Sequence, residues 1–221
     1  MRTQTKETQS KLTPQRAKEI LLEGNQRFVN NLKVNRNLLQ QVNETSQSQF
    51  PFAIVLSCID SRTSAELIFD QGLGDIFSTR IAGNVVNEDI LGSMEFACKV
   101  AGSKLIVVLG HSNCGAIKGA CDNVKLGYLT GLVNKIKPSV DSIRYTGERS
   151  AANSEFVEMV AAENVKRMTN EILAKSPILR DMIGNEELGI VGGMYNVETG
   201  IVEFYEPAEK MTNLKHEEVA G

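Results

Sequence analysis

Two short unbroken apolar runs, Phe52-Ala-Ile-Val-Leu56 and Leu105-Ile-Val-Val-Leu109, constrain this chain more than any other feature, because each is followed within two residues by a soft ligand, Cys58 or His111. A run of five without polar alternation reads as a strand buried on both faces, which is the pattern of parallel sheets covered by helices on each side. Segments of helical spacing lie between and after the runs. The expected fold is therefore α/β, a mostly parallel central sheet flanked by helices. In such sheets ligands bind just outside the carboxyl ends of the strands, where Cys58 and His111 fall.

The remaining elements follow from caps and periodicity. Thr13-Pro14 opens a helix whose apolar face carries Ile20, Leu21, Gly24 and Phe28. The polar stretch from Asn30 to Ser48 separates it from the first strand, so this N-terminal helical arm has no local core to cover. Phe52 to Ser57 is a strand, Thr63-Ser-Ala-Glu66 a capping box opening a short helix through Phe69, and Asp75 to Ile81 a second strand. Asn87 caps a helix burying Ile90, Leu91, Met94, Ala97 and Cys98, which Gly102 ends. After the strand at 105–109, the region His111 to Ala120 makes a turn and helix, and Leu129, Leu132, Val133 and Ile136 mark another that stops before Pro138. A long helix over 153–175 should bury Phe156, Met159, Val160 and Met168. Leu188 to Tyr195 and Ile201 to Tyr205, joined through 196–200, read as a hairpin that adds an antiparallel edge strand. Gly192-Gly193 lies inside that strand pattern and lacks the order of a phosphate-binding loop, so close backbone packing is expected there.

The chemistry concentrates in Cys58-Ile-Asp60-Ser-Arg62 and His111-Ser-Asn-Cys114-Gly115. Two thiolates and an imidazole are a ligand set for zinc, and catalytic zinc sites keep three protein ligands with a fourth position open. A His-x-x-Cys spacing alone is common by chance, and a lone buried Cys or His is usually packing; the strand-end context is what favours metal here. Cys114 also lies at the start of a helix, where the dipole favours a thiolate. Asp60 and Arg62, two residues apart, can form a charge-assisted, bidentate pair that holds Asp60 as an ionised carboxylate beside the open position. Cys98 and Cys121 have no partner motif and read as small core hydrophobes.

These motifs resemble the β-class carbonic anhydrases, over about Gln49 to Ala120, with Phe69-Asp70-Gln71-Gly72-Leu73-Gly74-Asp75 and Arg80-Ile-Ala-Gly83-Asn84 as similar connecting segments. The resemblance implies a zinc-dependent enzyme with one Zn2+ per subunit, interconverting carbon dioxide and bicarbonate through zinc-bound hydroxide. It implies metal ligation by Cys58, His111 and Cys114, with Asp60 as an alternative ligand, and catalytic roles for Asp60 and Arg62. It further implies substrate binding by the Gln49 amide, by Phe77 across a dimer interface and by the Gly115 backbone N–H, and self-association as a dimer or tetramer with the arm on a neighbouring subunit. On this reading residues 1–48 are arm and linker, and residues 49–221 the zinc-binding α/β catalytic domain. Two thiolates cancel the charge of the ion, so activity should be better in mildly alkaline solution. Departures are informative: Val55 stands where a branch with a regulatory bicarbonate site has tryptophan, so no such pocket is expected, and Phe96 stands where some relatives have tyrosine. His216 sits in a charged tail and reads as solvated, so proton release should lean on buffer.

Charge and hydropathy exclude other classes. Lys and Arg number 24 against 27 Asp and Glu, a net charge of −3 with no basic cluster, so no nucleic-acid partner is expected. The apolar runs are far below the 18 or so residues of a membrane helix, and the polar first dozen residues show no export signal, which points to the cytoplasm while leaving a longer exported precursor open. Four cysteines in so long a domain are not a disulfide framework. Three readings stand beside the main one: hydrolysis of carbonyl sulfide or carbon disulfide on the same scaffold, a non-enzymatic module with a closed zinc, and a redox protein, disfavoured by the lack of C-x-x-C.

Overall fold

The computed structural model describes residues 3–205. In chain order the elements are α1 (Lys6–Ser10), α2 (Pro14–Val29), α3 (Leu38–Thr45), β1 (Ala53–Ser57), α4 (Ala65–Ile68), β2 (Ile76–Arg80), α5 (Glu88–Glu95), β3 (Leu105–His111), α6 (Gly115–Cys121), α7 (Gly127–Ser142), α8 (Ser154–Lys175), α9 (Pro177–Gly184), β4 (Gly189–Tyr195) and β5 (Val202–Phe204). The strands form one sheet of order β2-β1-β3-β4-β5, parallel except for the antiparallel β4–β5 edge pair. This is the α/β architecture expected from the apolar runs.

Every residue of β1 and β3 is buried, and alternate side chains serve opposite faces. Ile54, Leu56, Ile106 and Val108 join α5, α6, α7, α8 and α9 in the larger core; Ala53, Val55, Leu105, Val107 and Leu109 face a second one. That second face is covered by α4 and by α2, whose Ala17 and Leu21 are fully buried. The arm therefore covers its own chain's sheet, contrary to the expectation that it lacks a local core. The physical reason is that a parallel sheet must be covered on both faces, and the helices from α5 onward occupy only one. A Cβ on Gly24 would stand 1.8 Å from the Phe69 carbonyl oxygen. Gly24→Ala is expected to destabilise the protein by about 1–3 kcal/mol, measured by urea denaturation; an unchanged midpoint would place α2 elsewhere.

The polar segment 30–48 is also more ordered than its composition suggests. Its α3 is capped by Asn37, whose side chain accepts from Gln40 N–H. Buried Asp70 draws the segment in, accepting from Arg27 Nε at 2.6 Å, Arg36 Nη1 at 2.5 Å and Val34 N–H at 3.2 Å. Three further expectations are corrected. The Thr63–Glu66 capping box does not form: Ser64 caps α4 without a side-chain bond, and Thr63 turns back to the preceding loop. α7 runs through Pro138, because Val133, Ile136, Ser139 and Val140 continue one buried face past it. Met159 is 36% exposed, off the stripe that Phe156, Val160, Asn164 and Met168 define. Close packing at the glycine pair holds, since a Cβ on Gly192 would lie 2.7 Å from Val165 Cγ1. Cys98 and Cys121 are buried free thiols in the larger core. The tail after Pro207, including His216, lies outside the described residues.

Candidate metal centre

β1 ends at Ser57 and delivers Cys58; β3 ends at His111 and delivers the turn to Cys114, the N-cap residue of α6. The ligand atoms of Cys58, His111 and Cys114 all lie within 4.8 Å of one another, and all three residues are buried. The two sulfurs are 4.0 Å apart. A tetrahedral zinc with Zn–S bonds of about 2.3 Å would set them about 3.8 Å apart.

The imidazole is oriented for the same centre. His111 Nδ1 lies 2.9 Å from the Ser112 carbonyl oxygen. A carbonyl only accepts, so Nδ1 carries the proton and Nε2 keeps its lone pair. Nε2 is buried and has no hydrogen-bond partner within the protein. A buried acceptor left unmatched is costly, and a cation between Nε2 and the two sulfurs satisfies it. The close contact between the two sulfurs pulls the Cys58 pKa down and pushes that of Cys114 up, so one thiol of the pair gives up its proton more readily. A divalent ion would replace that proton.

Asp60 stands beside this group. Arg62 donates to it from Nε at 2.9 Å, Nη2 at 2.8 Å and its backbone N–H at 3.0 Å. The guanidinium bonds are the main reason the Asp60 carboxyl titrates far below the usual range, and Arg62 is raised in return. Asp60 Oδ2 lies 4.0 Å from His111 Nε2. The conformation is thus the Arg62-paired one, with the carboxylate next to the ligand group and both oxygens engaged.

The loops are held by contacts that spacing alone did not reveal. Arg80, the last residue of β2, donates from Nε to the Cys58 carbonyl at 3.0 Å and from Nη2 to the Asp60 carbonyl at 2.6 Å. Thr63 Oγ1 donates to the Cys58 carbonyl at 2.9 Å. Asn113, in the left-handed region with φ 56°, donates its N–H to Glu158 on α8 at 2.8 Å. Arg80 lay within the segment Arg80 to Asn84 noted in the sequence; Glu158 carried no signal, being 45 residues from its partner.

The three substrate-site expectations separate. Gly115 opens α6 beside Cys114, with nothing within 4 Å of where its Cβ would be, so the space there is clear. Gln49 and Phe77 are not brought to their own chain's centre. Gln49 is exposed ahead of β1, whereas Cys58 follows its other end, and four residues of strand span about 13 Å. Phe77 pairs with Ile54 in the entry half of the sheet, its ring edge-on to Phe96 with centroids 6.3 Å apart. Strands running in parallel place their first and last residues at opposite rims.

A mostly parallel α/β sheet carrying a Cys-His-Cys group at its strand ends defines the class of protein: an α/β protein with a group that could hold a metal ion on its carboxyl rim. This chain belongs to the β-class carbonic anhydrase family, whose profile, described as Carbonic anhydrase, matches residues 53–202. Carbonic anhydrase 2 of Mycobacterium tuberculosis is 36% identical over 195 residues, which cover 85% of this chain and 90% of that protein. The β-carbonic anhydrase of Coccomyxa, solved in complex with acetazolamide, superposes with TM-score 0.66 at 25% identity, covering 83% of each chain. A tetrameric β-carbonic anhydrase from Sordaria macrospora shares the fold with TM-score 0.65 at 24% identity, covering 76% of this chain and 90% of that one.

Proposed function

We propose that this chain is a zinc carbonate dehydratase, hydrating carbon dioxide to bicarbonate and a proton, with Cys58, His111 and Cys114 as the protein ligands. The observation that carries the reading is the buried, unpartnered Nε2 of His111 facing two sulfurs 4.0 Å apart. When bound, zinc supplies Lewis acidity that makes a coordinated water acidic, though less so beside two thiolates, which cancel its charge, than beside neutral ligands.

The chain's own residues do the rest. Asp60, kept ionised and oriented by Arg62, accepts a hydrogen bond from the attacking water and so directs its lone pair. Because Arg62 already engages both carboxylate oxygens, an open centre with three protein ligands is favoured over a closed one with Asp60 as the fourth. The backbone N–H of Gly115, at the start of α6 beside Cys114, would serve the developing charge on bicarbonate as an oxyanion donor. Gln49 and Phe77, far from their own chain's centre, would serve the substrate site of a second copy, so we propose a self-associated form, dimer or tetramer. The tetrameric Sordaria relative supports it. Among the described residues no helix is long and apolar enough to cross a membrane.

Metal analysis together with stopped-flow carbon dioxide hydration tests the reading; zinc-loaded protein without hydration above buffer would end it. The pH profile adds a second check. The Asp60 pKa is shifted down and that of Arg62 up, so neither group titrates near neutrality and neither contributes a limb there. Hydration is therefore expected to rise along a single limb from neutral to mildly alkaline pH. A flat or falling profile contradicts the charge assignment of the centre.

A further inference from the structure

The loop between β2 and α5 carries a buried chain of hydrogen bonds that ends on the sulfur of Cys58. Ser139 Oγ on α7 donates to Asn164 Oδ1 on α8 at 3.2 Å, Asn164 Nδ2 donates to the Gly83 carbonyl at 2.9 Å, and Gly83 N–H donates to Cys58 Sγ at 3.4 Å. Ser139 and Asn164 are fully buried, so water does not compete for these bonds. One turn further along α8, Met168 Sδ accepts from Val86 N–H at 3.2 Å. The same helix face thus holds the loop at two points.

Gly83 adopts φ 68° and ψ 18°, in the left-handed region, and a Cβ there would lie 2.6 Å from Ile136 Cδ1. Glycine is required, and glycine is also the residue whose torsions are least restrained by its own side chain. The direction of its N–H must then be set from outside. Asn164 grips the carbonyl of the same residue whose amide meets the sulfur. We infer that Asn164 is a positioning residue for the metal centre, aiming the Gly83 amide at Cys58 Sγ through the Gly83 backbone, with Ser139 fixing the Asn164 amide. The inference rests on Cys58 being a metal ligand. An amide donated to a ligating sulfur withdraws electron density from it and holds it in place, and such supporting partners are worth about 10–100-fold in metal affinity.

The test uses the full chain loaded with zinc or with cobalt(II). Wild-type cobalt protein should show sulfur-to-cobalt charge-transfer absorption, and its absence would overturn the ligand assignment itself. In Asn164→Ala the band is expected to move to longer wavelength, because the sulfur loses a donor, and the zinc Kd from chelator competition to weaken about tenfold. Met168→Leu, on the same face but tied to Val86, is expected to lower thermal stability while leaving both band and Kd unchanged. Should Asn164→Ala not fold, Asn164→Leu fills the volume without polar atoms and carries the same two readouts. A folded Asn164 variant with wild-type band and wild-type zinc Kd overturns the inference, as does an equal band shift in Met168→Leu.

Discussion

Cys58→Ser and His111→Ala are each expected to purify without stoichiometric zinc and to hydrate carbon dioxide at less than about one-thousandth of the wild-type rate. The three proposed ligands are buried at the rim of β1 and β3 with their donor atoms within 4.8 Å of one another, and the nearby carboxylate, Asp60, is held by Arg62, so loss of one donor leaves the group incomplete. Serine is close to cysteine in shape, but its hydroxyl stays protonated where a thiolate is needed. Alanine at His111 removes the only imidazole among the described residues, since His216 lies beyond them. Metal binding adds to folding stability, so both variants should melt near the temperature of chelator-stripped wild type. Metal content, thermal melting and stopped-flow hydration check the three consequences together. A folded variant of either kind with full zinc occupancy and wild-type turnover would show that the ligand set is different.

Asp60→Asn separates metal binding from orientation. The variant is expected to keep its zinc and lose about 100-fold in kcat/KM, within the range a positioned acid–base group contributes. An amide oxygen at the Oδ1 position can still accept from Arg62 Nε and its backbone N–H, but the amide presents an NH2 group where Oδ2 stood, 4.0 Å from His111 Nε2. The group next to the centre then donates where acceptance is required. Arg62→Ala removes the two charged guanidinium contacts and leaves the carboxylate only the bond from the residue 62 backbone N–H, so it is freer to rotate toward the Cys-His-Cys group. Its loss should be of similar size, and the double variant should be little worse than either single one, because the two residues act as a unit. Since Asp60 titrates far below neutrality in the wild type, Asp60→Asn should lower the pH profile without displacing its alkaline limb. Wild-type kcat/KM in the zinc-loaded Asn variant would remove Asp60 from the mechanism.

The Cys58–Cys114 set was readable without coordinates because strand ends are readable. An apolar run of five followed by Cys or His says both where the strand stops and what it presents. The Asp60–Arg62 pair was legible for a related reason: two residues apart in a turn, they can hardly avoid each other. Local spacing misled where a tertiary contact outweighed it. Thr63 abandons the helix cap expected of it to hold the Cys58 carbonyl, and α7 ignores Pro138 because residues on both sides of it are buried. The arm was misplaced because its apolar face says that a partner exists and not which surface it is.

The apolar strands, the Cys and His at their ends and the carboxylate beside them could be read from the amino-acid order alone, since each is written within a few consecutive residues whose spacing obeys strand and turn geometry. How those side chains are held emerges from contacts between distant segments. Asn164 meets Gly83 across 81 positions, Glu158 meets Asn113 across 45, and Gln49 and Phe77 lie toward the entry end of the sheet, away from their own chain's Cys-His-Cys group. Such pairings depend on which helix covers which face and in what register, and that is settled by packing of the whole core, which no local pattern encodes.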